Sequence, residues 1–92
     1  VPNRTTEQIV ADLLLATKES GPSGISPTSL LKKANVSHPR LRRLTAALVG
    51  AGLMLKAQAG ARHAFVITAK GRHYLELHVE YHNMVESFGL EL

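Results

Sequence analysis

With 92 residues, 45% of them apolar, the chain has room for one compact domain and one core, and having no cysteine it has no disulfide, thiolate metal site or cysteine nucleophile. No apolar run approaches the roughly 20 residues of a membrane span, and Asn3, Arg4, Glu7 and Gln8 interrupt the start where a signal peptide would be apolar, so a cytoplasmic protein is expected. The net charge of +4 is unevenly spread: Ser20 to Arg72 holds nine Lys/Arg and no Asp or Glu, whereas His73 to Leu92 holds four Glu and no Lys or Arg.

The first predicted helix runs from about Thr6 to Lys18. Thr5 and Gln8 have capping-box spacing, and Ile9, Leu13 and Ala16, flanked by Val10, Leu14 and Thr17, form a broad stripe for burial. Ser20 to Gly24 is a break rich in turn formers, after which Ile25 suits a very short strand. Ser26-Pro27 starts a second, short helix to about Ala34, because a hydroxyl caps it and proline at the first position has no N–H to leave unpaired. Its buried side is Leu30, Leu31 and Ala34.

Asn35-Val36-Ser37 forms a turn, and Ser37 caps a third helix that continues to about Ala51, where Gly52 supplies a left-handed stop. Leu41, Leu44, Thr45 and Leu48 follow the i, i+3, i+4, i+7 pattern of a core face. Leu53 to Gln58 and His63 to Thr68 alternate as two strands around a hairpin tip, Ala59 to Arg62. Thr68 caps a last helix from about Ala69 to at least Ser87.

This order predicts an α+β winged helix-turn-helix: helix, short strand, helix, helix, β-hairpin wing, long C-terminal helix. A basic body on an acidic tail suits a polyanion partner, here double-stranded DNA. At 100° per residue the core face of the third helix leaves Pro39, Arg43, Ala46 and Ala47 opposite, with Arg42 on one edge and Arg40 on the other. A merely solvated face usually mixes both signs, and this one has no acid near it. Arginine can grip guanine or a phosphate with two parallel hydrogen bonds. Ser37 and His38 stand at the positive end of the helix dipole, which suits phosphate. Lys32 and Lys33 on the preceding helix are phosphate candidates, and Arg62 and His63 on the wing would meet the minor groove or flanking backbone.

The runs "SLLKKANVSHPRLRRLTAALVGAGLM" and "HAFVITAKGRHYLEL", between Ser26 and Leu77, resemble archaeal small winged-helix proteins of the ten-kilodalton Sulfolobus chromatin-protein type. The most telling pieces are the leucines and Gly-Leu that close the third helix and the stretch from Phe65 to Gly71 that leaves the wing. The resemblance implies DNA binding through the helix that starts at Ser37 and homodimerisation through a long C-terminal helix. The tail departs from that pattern, being acidic and histidine-rich rather than a mixed-charge zipper.

Tyr74, Leu77, Tyr81, Met84 and Phe88 repeat at 3, 4, 3, 4, the spacing of a coiled-coil seam, and are the expected dimerisation residues. Leu75, Val79 and Val85 offer a neighbouring face to pack on the domain. His78, His82 and Glu86 share a third edge; the expectation there is a solvated or dimer-facing edge, not a metal site. The chain is therefore expected to comprise a DNA-binding body, 1–72, continuous with a dimerisation helix, 73–92, within one structural domain. Nothing in it suggests an enzyme, and no cofactor, metal or small-molecule substrate is expected. The expected role is that of a nucleoid-associated transcriptional regulator or chromatin protein. The alternative is a winged-helix protein-interaction module, which should show an apolar or mixed-charge surface on the third helix.

Overall fold

Hydroxyl caps set the start of every α-helix in the computed structural model, which describes residues 5–90. Thr5 begins α1, Thr6–Glu19, through a reciprocal capping box: its Oγ1 accepts from the Gln8 N–H at 3.1 Å while Gln8 Oε1 accepts from the Thr5 N–H at 2.9 Å. Ser26 caps α2, Pro27–Ala34, and Ser37 caps α3, His38–Gly50, each with proline in the first turn. Thr68 caps α4, Ala69–Ser87, a 19-residue helix about 28 Å long at 1.5 Å per residue.

The break after α1 contains one 3-10 turn, Gly21–Ser23, where the turn-forming composition alone implies irregular chain. Gly24 then brings the backbone against the hairpin at φ 78°, where a Cβ would come within 2.6 Å of the Phe65 carbonyl oxygen. That close approach lets Ile25 exchange both backbone hydrogen bonds with Phe65, at 2.9 and 2.8 Å. The expected short strand is thus a single antiparallel bridge beside the hairpin.

The hairpin strands are β1, Met54–Ala59, and β2, Arg62–Ile67, antiparallel with Met54 opposite Ile67 and Ala59 opposite Arg62. Each strand lies one residue away from the boundaries expected from alternation, and the tip is only Gly60-Ala61. Gly60 alone has a positive φ, 65°, which is the type II′ pattern whose twist matches paired strands. Thr68 leaves the strand because its hydroxyl is committed elsewhere: it donates to the Gly52 carbonyl at 2.6 Å and accepts from the Gly71 N–H at 3.0 Å. One side chain therefore ties the end of α3 to the start of α4.

The core sits where α1 packs against α2, β2 and α4. Leu13, Leu14, Leu30 and Met54 have no exposed surface, and Ile9, Ile25, Leu41, Leu48, Phe65, Ile67 and Leu75 complete the cluster. Each fully buried leucine contributes about 1.5–3 kcal/mol by removing its apolar surface from water. Thr17 and Thr45 are buried too, and each hydroxyl donates to the carbonyl four residues earlier, so neither is left unpaired.

Two parts of α4 differ from expectation. Leu75 and Val85 are buried, but Val79 is 54% exposed, so the face expected to pack on the domain does not include it. Its place is taken by the histidines: Leu75, His78, His82 and Val85 follow a 3, 4, 3 spacing on one inward stripe, with both histidines half-buried. The His78 side chain is only 12% exposed and its Nδ1 lies 3.8 Å from Glu7 Oε1 of α1, so it is not on a solvated edge. The helix closes with paired bonds from the Gly89 N–H to the Glu86 carbonyl and from the Leu90 N–H to the Val85 carbonyl, a Schellman end.

Candidate nucleic-acid interface

Burial of Leu41, Thr45 and Leu48 sets the rotation of α3, with Leu44 half-buried beside them. The opposite face, made of Pro39, Arg42, Arg43, Ala46 and Ala47, is exposed. Small residues between the arginines leave this face low enough for a flat or grooved partner to approach closely.

The three arginines occupy different settings. Arg43 projects from the middle of the exposed face, and no hydrogen bond ties its side chain among the described residues. Arg42 is also exposed, and its Nη2 donates to His38 Nδ1 one turn earlier at 3.1 Å, which orients the guanidinium along the helix and leaves most of its five donors free. Arg40 is half-buried, and its Nη2 donates to Thr6 Oγ1 at the start of α1 at 3.2 Å. It therefore turns toward α1, away from the exposed face its neighbours share.

Ser37 is exposed at the N-terminus of α3, where its Oγ accepts from the Arg40 N–H at 3.4 Å. Its hydroxyl is already engaged as the helix cap, while His38 stands exposed beside it. Lys32 and Lys33 are exposed on the last turn of α2.

On the wing, Arg62 and His63 line a shallow groove of about 420 Å³ with Ser26 to Ser29, so the tip of the hairpin lies beside the start of α2. A larger cavity of about 590 Å³ opens between α3 and the wing, lined by His38, Leu41, Arg42, Val49, Lys56 and Phe65 among others. Pro27 belongs to both, so the two recesses are neighbours along one side of the molecule. Lys56 was missed in the sequence. It pairs in register with Phe65, whose burial reveals that this side of the hairpin faces α3, and strand alternation around Phe65 was the signal that could have found it.

Of the five seam residues, Leu77, Tyr81, Met84 and Phe88 are 45–74% exposed, whereas Tyr74 is half-buried against the core. The exposed four form an outward stripe on α4 that borders the histidines: Leu77 and Tyr81 line one recess with His78, and the Tyr81 and His82 rings lie 6.1 Å apart. No helix among the described residues is long and apolar enough to cross a membrane. Nor do three or more His, Asp or Glu side chains converge among those residues on a point where a metal ion could be held.

A family model described as winged helix-turn-helix matches residues 3–86. No curated protein matches the chain in sequence. Among solved structures, the chain is similar to MepR of Staphylococcus aureus, a transcription regulator of the multidrug efflux pump MepA, with TM-score 0.78 and 15% identity over 92% of this chain and 63% of that one. Sso10a-2, a DNA-binding protein from Sulfolobus solfataricus, superposes with TM-score 0.74 and 20% identity over 92% of this chain and 85% of that one. The transcriptional regulator BldR, also from S. solfataricus, gives TM-score 0.74 and 22% identity over 88% and 59%. The chain thus spans less than two thirds of MepR and BldR but most of Sso10a-2. The resemblance to small Sulfolobus winged-helix proteins holds at the level of the fold.

Proposed function

The chain belongs to the winged helix-turn-helix family, and we propose that it binds duplex DNA as a homodimer, serving as a transcriptional regulator or a chromatin-associated protein. The observation that carries this reading is the exposed face of α3: Arg42 and Arg43 stand among small residues in a stretch with no acidic side chain from Ser20 to Arg72. In this reading α3 enters the major groove with Arg43 foremost and Arg42 beside it. His38 and the N-terminus of α3 take a phosphate, and Lys32, Lys33, Arg62 and His63 hold the flanking backbone or minor groove. Arg40 acts from the edge, through its hold on α1.

In this reading the chain up to residue 72 is the DNA-binding body and α4 from residue 73 is the dimerisation helix continuous with it; of the expected spans 1–72 and 73–92, residues 1–4 and 91–92 lie outside the described residues. The outward stripe of Leu77, Tyr81, Met84 and Phe88 supports pairing of two copies, because a row of large apolar side chains on one helix face is costly to leave in water. Tyr74 contributes at the base of the seam. The same distribution disfavours a protein-interaction role for α3: the exposed apolar side chains gather on α4, while α3 presents cations.

Electrophoretic retention of a duplex tests the reading. Replacing Arg40, Arg42 and Arg43 together by Glu is expected to abolish the shift, and a shift that persists in the folded variant would overturn the assignment.

A further inference from the structure

We infer that the cavity between α3 and the wing is a binding site for a small apolar carboxylate, and that its occupant competes with DNA for Arg42. The inference about competition rests on the DNA-binding reading above; the site itself does not.

The cavity, about 590 Å³, lies within the roughly 300–1,000 Å³ typical of small-molecule sites. Its floor and walls are mostly apolar, with Leu41, Val49 and Phe65 turned toward it. Besides Thr45, whose hydroxyl donates to the Leu41 carbonyl, its polar contributors are Arg42, Lys56 and His38, all exposed enough to face a ligand. Every lining residue falls between Pro27 and Phe65, inside the stretch without any Asp or Glu, so no carboxylate of the lining opposes an incoming anion. The His38 contact holds the Arg42 guanidinium in place and leaves it further donors for a carboxylate.

A DNA phosphate alone would satisfy the cations but would gain nothing from the apolar floor. A ligand with a carboxylate head and a flat or compact apolar body uses both. With Arg42 engaged by such a molecule, α3 loses one of its two freely exposed arginines.

The test is a titration of the intact protein with 2-naphthoate to about 5 mM, followed by amide chemical shifts, a range set by the weak affinity of so small a ligand. Saturable shifts confined to α3, Lys56 and β2 are expected, with 2-naphthamide binding at least about fivefold more weakly, as is Lys56→Gln with naphthoate. Ala46→Phe, placed at an exposed position on the rim, is expected to block binding while its thermal melt stays cooperative. Shifts that do not saturate, equal binding of the amide, or undiminished binding by both variants would overturn the site. In a parallel retention assay, naphthoate is expected to release duplex from the wild-type protein. Saturable naphthoate binding without release would overturn the competition, whereas failure of the free protein to retain any duplex would overturn the functional reading and, with it, the competition.

Discussion

Arg40 of α3 donates to Thr6 Oγ1 of α1 at 3.2 Å, across 34 residues of sequence. This contact separates Arg40 from Arg42, which a helical wheel places alike on the two edges of the exposed face. Arg40 is committed to the packing of α3 on the first helix, and Arg42 and Arg43 remain available to a partner. The expected consequence is a split in mutational effects. Arg43→Ala and Arg42→Ala should each weaken duplex binding by about 1–3 kcal/mol with little change in stability. Arg40→Ala should cost about 0.5–1.5 kcal/mol in folding through the lost hydrogen bond and less in binding. Chemical denaturation alongside binding isotherms separates the two.

Thr68 is expected to be the most sensitive of the capping residues. Its hydroxyl both caps α4 and donates to Gly52, so Thr68→Ala should lose about 1–2 kcal/mol, and Thr68→Ser should recover most of it. Urea unfolding of the pair measures both values.

Gly71 and Gly50 give opposite expectations. A Cβ at Gly71 would collide with the Leu53 carbonyl oxygen and approach Ile67 Cγ1 to 2.8 Å, so Gly71→Ala should destabilise by about 3 kcal/mol, because backbone cannot easily give way. A Cβ at Gly50 meets nothing within 4 Å, and Gly50→Ala should stabilise α3 by about 0.5–1 kcal/mol. Thermal melts of the two variants would move in opposite directions.

The outward stripe of α4 predicts a dimer at tens of micromolar, a range ordinary for a modest interface. Tyr81→Glu with Met84→Glu should give a folded monomer by sedimentation. A wild-type protein that sediments as a monomer would remove the dimer from the account.

Much of the fold was legible because its signals are local. Thr5 with Gln8, Ser26-Pro27, Ser37 and Thr68 each announce a helix within four residues, and the caps are hydrogen-bonded as the spacing implies. The leucine spacing of α3 likewise oriented its exposed face. What was less legible depends on partners far away in the chain. The commitment of Arg40 to Thr6, the cavity closed by Lys56 and Phe65, and the inward turn of His78 toward Glu7 all arise from how elements dock. Leu75, His78, His82 and Val85 do have helical spacing, but polar histidines mask it to a reading based on hydrophobicity. The hairpin boundaries shifted by one residue because Gly60 supplies a two-residue turn where a four-residue tip had been expected.

The most direct measurement is binding to a random-sequence duplex across a salt series. If the acid-free body holds phosphates as proposed, log K should fall linearly with log salt, by about 0.9 for each phosphate neutralised, and charge reversal at Arg42 and Arg43 should flatten the slope. Binding that ignores salt, or a slope unchanged by Arg42→Glu with Arg43→Glu, would contradict the account.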